Sequence, residues 1–264
     1  KEFLGHVNAL AAVLPEKKHA INVCDNRYLL LVALCACVLR NQTALMPSNK
    51  TVVAQQRLIE DYGDAYLLHD GVAQLADLTH INVKSTNLSL NVHSEPTTLG
   101  STPQIPLDHV AAICFTSGST GKPKPNIKTW RTIVESSAIN SRYMLPNQDE
   151  TFFHLATVPG QHMWGFETSV LLALFANVCM VDARPSFPQD IASLLKRIPA
   201  PRTIVGTPLH LKALASNTLK LGAIANVLCA TAPLNRALAQ DIESQFEASV
   251  REIYGCGEVG SMGG

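Results

Sequence analysis

The chain has 264 residues, equal numbers of basic and acidic side chains at 21 each, and 47% hydrophobic residues. That length suffices for one large domain or two smaller ones with a sizeable core, and the composition is globular. With no net charge there is no global positive field to favour nucleic acid or an anionic membrane, so neither is expected as a partner. The seven cysteines include no C-x-x-C pair, which argues against a zinc ribbon or a thioredoxin-type site. Most sit in apolar runs and read as buried free thiols of a reducing compartment. The longest apolar run, residues 29–39, is too short to span a bilayer, which takes roughly 20 residues. No secretory signal layout opens the chain, and a cytoplasmic location is expected.

Helical and strand-like segments alternate. Residues 3–14 predict an amphipathic helix ended by Pro15, and 20–24 a short strand. Residues 27–40 predict a buried helix with Asp25 as N-cap, 43–46 a strand stopped by Pro47, 51–62 a helix and 65–68 a strand. This βαβαβ rhythm implies a mostly parallel sheet. From 82 to 106 the periodicity is lost in Ser, Thr, Asn, Pro and His, which reads as a loop or weak hairpin crossing between subdomains. A strand at 110–115 leads straight into a Gly/Ser/Thr loop, and a helix follows at 129–144. The second half predicts strands at 152–156, 178–182, 203–205, 226–229 and 250–253, with helices at 163–175, 188–197, 208–216 and 235–246. Two subdomains are expected, 1–106 and 107–264, the second carrying the glycine-rich loop.

Residues 114–125 read CFTSGSTGKPKP. The loop offers the hydroxyls of Thr116, Ser117, Ser119 and Thr120, the glycines Gly118 and Gly121, and the cations Lys122 and Lys124. Polyphosphate calls for such a surface. Glycines let backbone N–H groups approach the oxygens, hydroxyls donate further hydrogen bonds, and a lysine adds a point charge. Walker A spacing fails, because Thr116 and Pro123 stand where Gly and Ser/Thr are needed. The Rossmann G-x-G-x-x-G pattern is also absent here. A flexible linker would not abut a buried strand and end in a rigid Lys-Pro-Lys.

The stretch resembles the phosphate-binding signature [ST]-[SG]-G-[ST]-[ST]-G-x-P-K of the adenylate-forming superfamily, the acyl- and aryl-CoA ligases, peptide-synthetase adenylation domains and luciferases. It matches at every position from Thr116 to Lys124. Pro125 stands where that pattern usually continues with glycine. Three further segments match in order. PGQHMWG (residues 159–165) resembles the segment whose histidine and aromatic neighbour wall the acyl pocket, which implies acid-binding roles for His162, Trp164 and Gly165. Ala230-Thr231-Ala232-Pro233 resembles the turn, usually GGAP or SGAP, that lies against adenine. Tyr254-Gly255-Cys256-Gly257-Glu258 resembles YGxTE, which implies that Tyr254 stacks on adenine and Glu258 holds Mg²⁺. Gly257 replaces the usual threonine, whose hydroxyl contacts the α-phosphate. Gly206-Thr207-Pro208 is a weaker match to a segment lining the carboxylate pocket. The stretches NVCDNRYLLLVALCACVLRNQTALMPSN, PGQHMWGFETSVLL and VGTPLHLKALAS look closest to ligases of aryl-polyene and xanthomonadin-type pigment pathways.

The resemblance implies an α/β fold, that of the large N-terminal domain of adenylate-forming enzymes. Its two mostly parallel sheets are flanked by helices in layered subdomains, truncated before the small C-terminal domain, its lysine and the ribose-binding aspartate. It further implies ATP-dependent activation of a small carboxylic acid, with AMP as product and Mg²⁺ as cofactor. Transfer then goes to the thiol of CoA or of an acyl carrier protein's phosphopantetheine. His162, Glu258 and Lys124 are the expected catalytic groups. Phe153, His162, Met163, Trp164, Phe166 and Thr207 are candidates for the acid pocket. Two rivals remain open. Gly257 and Pro125 fit a non-catalytic nucleotide- or acyl-binding module derived from such a ligase. An unrelated α/β phosphotransferase would instead release ADP.

Overall fold

The computed structural model describes residues 2–71, 75, 78–84, 103–116, 123–217, 219–256 and 260–263. The chain forms two compact units, Lys1–Ile133 and Val134–Gly264.

The first unit opens with α1 (Glu2–Val13), β1 (His19–Asn22) and α2 (Arg27–Leu39). It continues with β2 (Thr43–Met46), α3 (Val52–Tyr62), β3 (Ala65–His69) and β4 (His80–Asn82), and ends with β5 (Val110–Thr116) and β6 (Lys124–Thr129). The strands lie in the order β4-β3-β1-β2-β5-β6. All neighbours are parallel except β6, which runs antiparallel to β5. α2 is apolar on nearly every face because it is buried on nearly every face. Its N-cap is Asn26, whose side chain accepts from Leu29 N at 2.8 Å, and not Asp25 as expected. Asp25 is drawn off by an ion pair with Lys50. Thr51 caps α3, and Gly63, at φ +62°, ends it by donating to Ile59 O at 2.8 Å.

β6 (KPNIKT) was not expected as a strand. It sits at the sheet edge, where Pro125 is tolerated because one side of the strand needs no partner. β5 and β6 are hydrogen-bonded into the first sheet, and the two compact units divide between Ile133 and Val134. Much of the expected crossover, from 85 to 102, lies outside the described residues.

α4 (Trp130–Met144) leads into the second unit, whose strands are β7 (Phe152–Ala156), β8 (Val178–Met180), β9 (Arg202–Gly206), β10 (Asn226–Cys229) and β11 (Ser249–Glu252). They lie in the order β11-β10-β9-β7-β8, parallel throughout. Successive residues point to opposite faces, and both faces are covered. Leu155, Ile204 and Val227 enter one apolar cluster with residues of α7 (Pro188–Leu195), α8 (Pro208–Ala215) and α9 (Arg236–Phe246). Their neighbours Ala156, Val205 and Leu228 enter another, with Trp164 and Leu172.

The expected helix at 163–175 forms with a π-helical interior: α5 (Met163–Phe166), a π segment (Glu167–Leu171) and α6 (Leu172–Phe175). Thr168 Oγ1 donates to Trp164 O and Ser169 Oγ to Gly165 O, both at 2.6 Å. These hydroxyls occupy carbonyls that the α-helical ladder would use, and Leu172 N reaches back to Glu167 O instead.

A hairpin of β12 (Tyr254–Cys256) and β13 (Gly260–Gly263) closes the chain. All seven cysteines are free. Five are buried or partly buried, as their apolar runs predict; Cys179, on edge strand β8, and Cys256, on the hairpin, are exposed. Among the described residues no helix is long and apolar enough to cross a membrane.

Candidate functional site

In a parallel sheet every strand delivers its following loop to the same edge, and ligands of open α/β sheets bind there. In the second unit the loops after β7, β8, β9 and β10 surround a cavity of about 370 Å³. The loop after β7 contributes Thr157 and His162, and the loop after β8 contributes Arg184 and Ser186. Thr207 and His210 follow β9, and Thr231 follows β10. His162, Thr207 and Thr231, picked out by three separate motif matches, thus line one cavity. Thr157, Arg184, Ser186 and His210 were missed. Only His210 left a local trace, three residues beyond Thr207 in the first turn of α8, where i and i+3 side chains meet.

Thr207 precedes α8, and its Oγ1 lies 2.8 Å from His210 Nδ1. Loss of water around His210 lowers its pKa. His162 occupies the N-cap position of α5, and its carbonyl accepts from Phe166 N at 2.7 Å. Its pKa is also lowered by partial burial. Neither histidine therefore gains charge at neutral pH. Thr157 Oγ1 donates to Val205 O at 3.3 Å, which commits its hydroxyl to the backbone.

The other acid-pocket candidates sit elsewhere. Trp164 is buried behind the cavity, its Nε1 donating to Gly206 O at 3.0 Å. Phe166 is fully buried, Phe153 packs on the α7–α9 side of the sheet, and neither these nor Met163 line the cavity. Gly165 lies against the Pro159 carbonyl, where a side chain would collide.

Thr231 has φ +83°, a conformation costly for a β-branched residue. Thr231, Ala232 and Pro233 are all exposed, while Ala230 N donates to Gly206 O at 3.4 Å. The Gly206 carbonyl thus joins this turn to Trp164. On the hairpin, Tyr254 is 72% exposed, its ring open to a partner. Gly255 packs against the backbone of Gly260, which leaves no space for a side chain. The hairpin is tied down by Glu167, only 5% exposed, which accepts from Ser261 N at 3.2 Å and Ser261 Oγ at 2.7 Å. Gly257 and Glu258 lie outside the described residues. Among the described residues no three His, Cys, Asp or Glu side chains cluster as metal ligands.

In the first unit, Thr116 ends β5 and Lys124 begins β6, and the two are register partners. Asn126 Nδ2 braces this end, donating to Cys114 O at 3.2 Å, Lys124 O at 3.3 Å and Thr116 Oγ1 at 3.4 Å. The glycine-rich loop is therefore the connection of an antiparallel hairpin with both ends pinned. Its interior, Ser117, Gly118, Ser119, Thr120, Gly121 and Lys122, lies outside the described residues.

A family model described as AMP-binding enzyme matches residues 1–263. Among characterised proteins, 4-coumarate–CoA ligase 1 of Solanum tuberosum is 26% identical over 167 residues, covering 59% of this chain and 30% of that protein. Among solved structures, ATP-bound MatB from Rhodopseudomonas palustris matches with a TM-score of 0.78 at 18% identity, over 98% of this chain and 54% of that one. O-succinylbenzoate CoA synthetase from Bacillus subtilis, in complex with AMP, matches with a TM-score of 0.73 at 19% identity, over 97% of this chain and 65% of that one. These structural likenesses establish the fold, an α/β architecture of parallel sheets flanked by helices. The chain spans less than a third of the plant ligase's length and about half that of MatB.

Proposed function

This chain belongs to the AMP-binding enzyme family, and on that premise we propose that its gene product activates a small carboxylic acid with ATP and passes the acyl group to a thiol. In the first step a carboxylate oxygen attacks the α-phosphorus, and the bond to the pyrophosphate oxygen breaks. In the second, a thiol of CoA or of a carrier protein's phosphopantetheine attacks the acyl carbon, and AMP leaves. One observation above all supports this reading: His162, Thr207 and Thr231, drawn from separate motifs, line a single cavity at the carboxyl edge of a parallel sheet.

In this reading Thr116, Ser117, Gly118, Ser119, Thr120, Gly121 and Lys124 cradle the β- and γ-phosphates. The turn Thr231-Ala232-Pro233 and Tyr254 receive adenine, with Gly255, Cys256 and Gly257 beside it. The small exposed side chains of the turn and the open ring of Tyr254 fit a flat base. His162 and Thr207 position the acid, while Trp164 and Gly165 hold the wall behind it. Mg²⁺, held by Glu258, would offset phosphate charge. The protein's part is positional and electrostatic. No general base is needed, because a carboxylate is already ionised at neutral pH. Within the family we place the chain nearest the pigment-pathway ligases, on the sequence stretches quoted above, and we propose a cytoplasmic location.

The test is exchange of labelled pyrophosphate into ATP, measured on the gene product that contains this chain. Exchange stimulated by a carboxylic acid is the expected result. Nucleotide binding without exchange would leave the non-catalytic module, and release of ADP would point to phosphotransfer.

A further inference from the structure

The four loops around the cavity follow the order of their strands. Thr231 comes after β10, Thr207 and His210 after β9, Thr157 and His162 after β7, and Arg184 and Ser186 after β8. Adjacent strands lie roughly 4.8 Å apart, so three steps separate the Thr231 end of the row from the Arg184 end by about 14 Å. If the nucleotide lies at Thr231 and the reacting carboxylate beside Thr207 and His162, Arg184 is left facing the far end of the acid.

The chemistry of that far end is specific. Arg184 is the single arginine or lysine among the cavity's described lining residues, and no aspartate or glutamate joins it there. Its guanidinium forms no ion pair with any described carboxylate. Ser186, two residues on, adds a hydroxyl to the same wall. A planar guanidinium beside a hydroxyl, with no counter-charge of its own, is matched to a carboxylate, which it can hold by two parallel hydrogen bonds.

We propose that Arg184 and Ser186 form a second anion subsite in this cavity, and that the acid activated is a dicarboxylic acid whose distal carboxylate docks there. This rests on the acid-activating reading above and adds the class of acid. Arg184 is exposed, so its substitution leaves the core intact.

The experiment is a calorimetric titration of the chain with ATP and with matched acids: hexanedioate, octanedioate and terephthalate against hexanoate, octanoate and benzoate. The best diacid is expected to bind about tenfold or more tighter than its monoacid partner, the scale of a charge-assisted hydrogen bond. Arg184→Gln is expected to bring that ratio close to unity, Arg184→Lys to keep part of it, and ATP affinity to change less than twofold in both. Equal affinity of the wild-type chain for mono- and diacids, or no acid binding at all, overturns the subsite. So does a preference that survives Arg184→Gln, as a merely solvated arginine predicts. If Arg184→Gln weakens ATP instead, the cation serves a nucleotide phosphate and the subsite also falls. Failure of the wider reading looks different: no ATP binding and no acid-dependent exchange, with the Arg184-dependent diacid preference still present.

Discussion

At the carboxyl edge of the first sheet the loops bind one another. Asp70, after β3, accepts from Asp25 N at 2.9 Å and Asn26 N at 2.7 Å, just beyond β1. Asp25 in turn pairs with Lys50, beyond β2, and the buried Asn22 holds Leu30 O and Cys24 N. At the same edge of the second sheet, the side chains of His162, Arg184, Thr207 and Thr231 come from four loops and surround a cavity. The first sheet is parallel but for its edge strand β6, the second is parallel throughout, and both edges are rich in polar groups. Topology thus provides an edge where a site can form, but whether one forms depends on how far the loops satisfy each other. Where β1, β2 and β3 end in the first unit, the described polar groups bind one another; in the second unit they surround a cavity.

Four experiments would break or sharpen that contrast. The largest effect is expected from Trp164→Ala, which empties the wall behind the cavity and leaves the Gly206 carbonyl short of a donor. The loss should be about 3–5 kcal/mol, read from urea unfolding. A loss below about 1 kcal/mol would mean that the cavity wall does not depend on this ring.

Next comes acid. His154 is completely buried, with Nδ1 2.8 Å from Thr168 O, and burial takes its pKa from 6.5 down to about 4. The unfolded chain therefore binds this proton more readily than the folded one. The contribution to stability is full above about pH 6.5, declines as the pH falls towards about 4, and changes no further below that. His154→Asn removes the titrating group, and unfolding midpoints between those limits should fall less steeply than in the wild type. An unchanged slope would remove His154 from the account.

The third experiment pairs the two edges. Glu167→Ala strips the acceptor from Ser261 N and Oγ, and Asp70→Ala strips it from Asp25 N and Asn26 N. Each should cost about 1–3 kcal/mol of stability. Only Glu167→Ala should weaken ATP several-fold, because it frees the hairpin that carries Tyr254, while Asp70→Ala should shift it less than twofold. Equal effects on ATP would erase the distinction between the two edges. The smallest effect is expected from Thr231→Gly. Relief of φ +83° should stabilise the chain by about 0.5–1 kcal/mol in thermal unfolding. The same angle explains why the turn that Ala230–Pro233 resembles usually carries glycine there.

What was legible in the sequence follows from what is local. β2, β7 and β10 fall on their predicted bounds because buried parallel strands are short apolar runs ended by turn chemistry. β6 escaped because its pattern is polar and holds a proline, and only pairing with β5 makes it a strand. The β12–β13 hairpin escaped for a similar reason, being glycine-rich and secured by Glu167 from another element. Of the residues that line the cavity, His162, Thr207 and Thr231 carried motif matches, whereas Arg184 and Ser186 lie in an irregular stretch with no signature. Trp164, matched as part of the segment that walls the acid pocket, is buried in the core behind the cavity, a placement that no local pattern signals.

The pinned hairpin that carries the glycine-rich loop also limits how this protein can evolve. Asn126 is buried and hydrogen-bonded, while Ile127 beside it is 61% exposed. A one-residue slip of β6 against β5 would exchange them, pushing the amide out and driving an isoleucine against three unanswered acceptors. Insertions and deletions between Thr116 and Lys124 therefore cannot be absorbed by sliding. Any change of length there has to be taken up between the two strands, with the register of β5 and β6 kept.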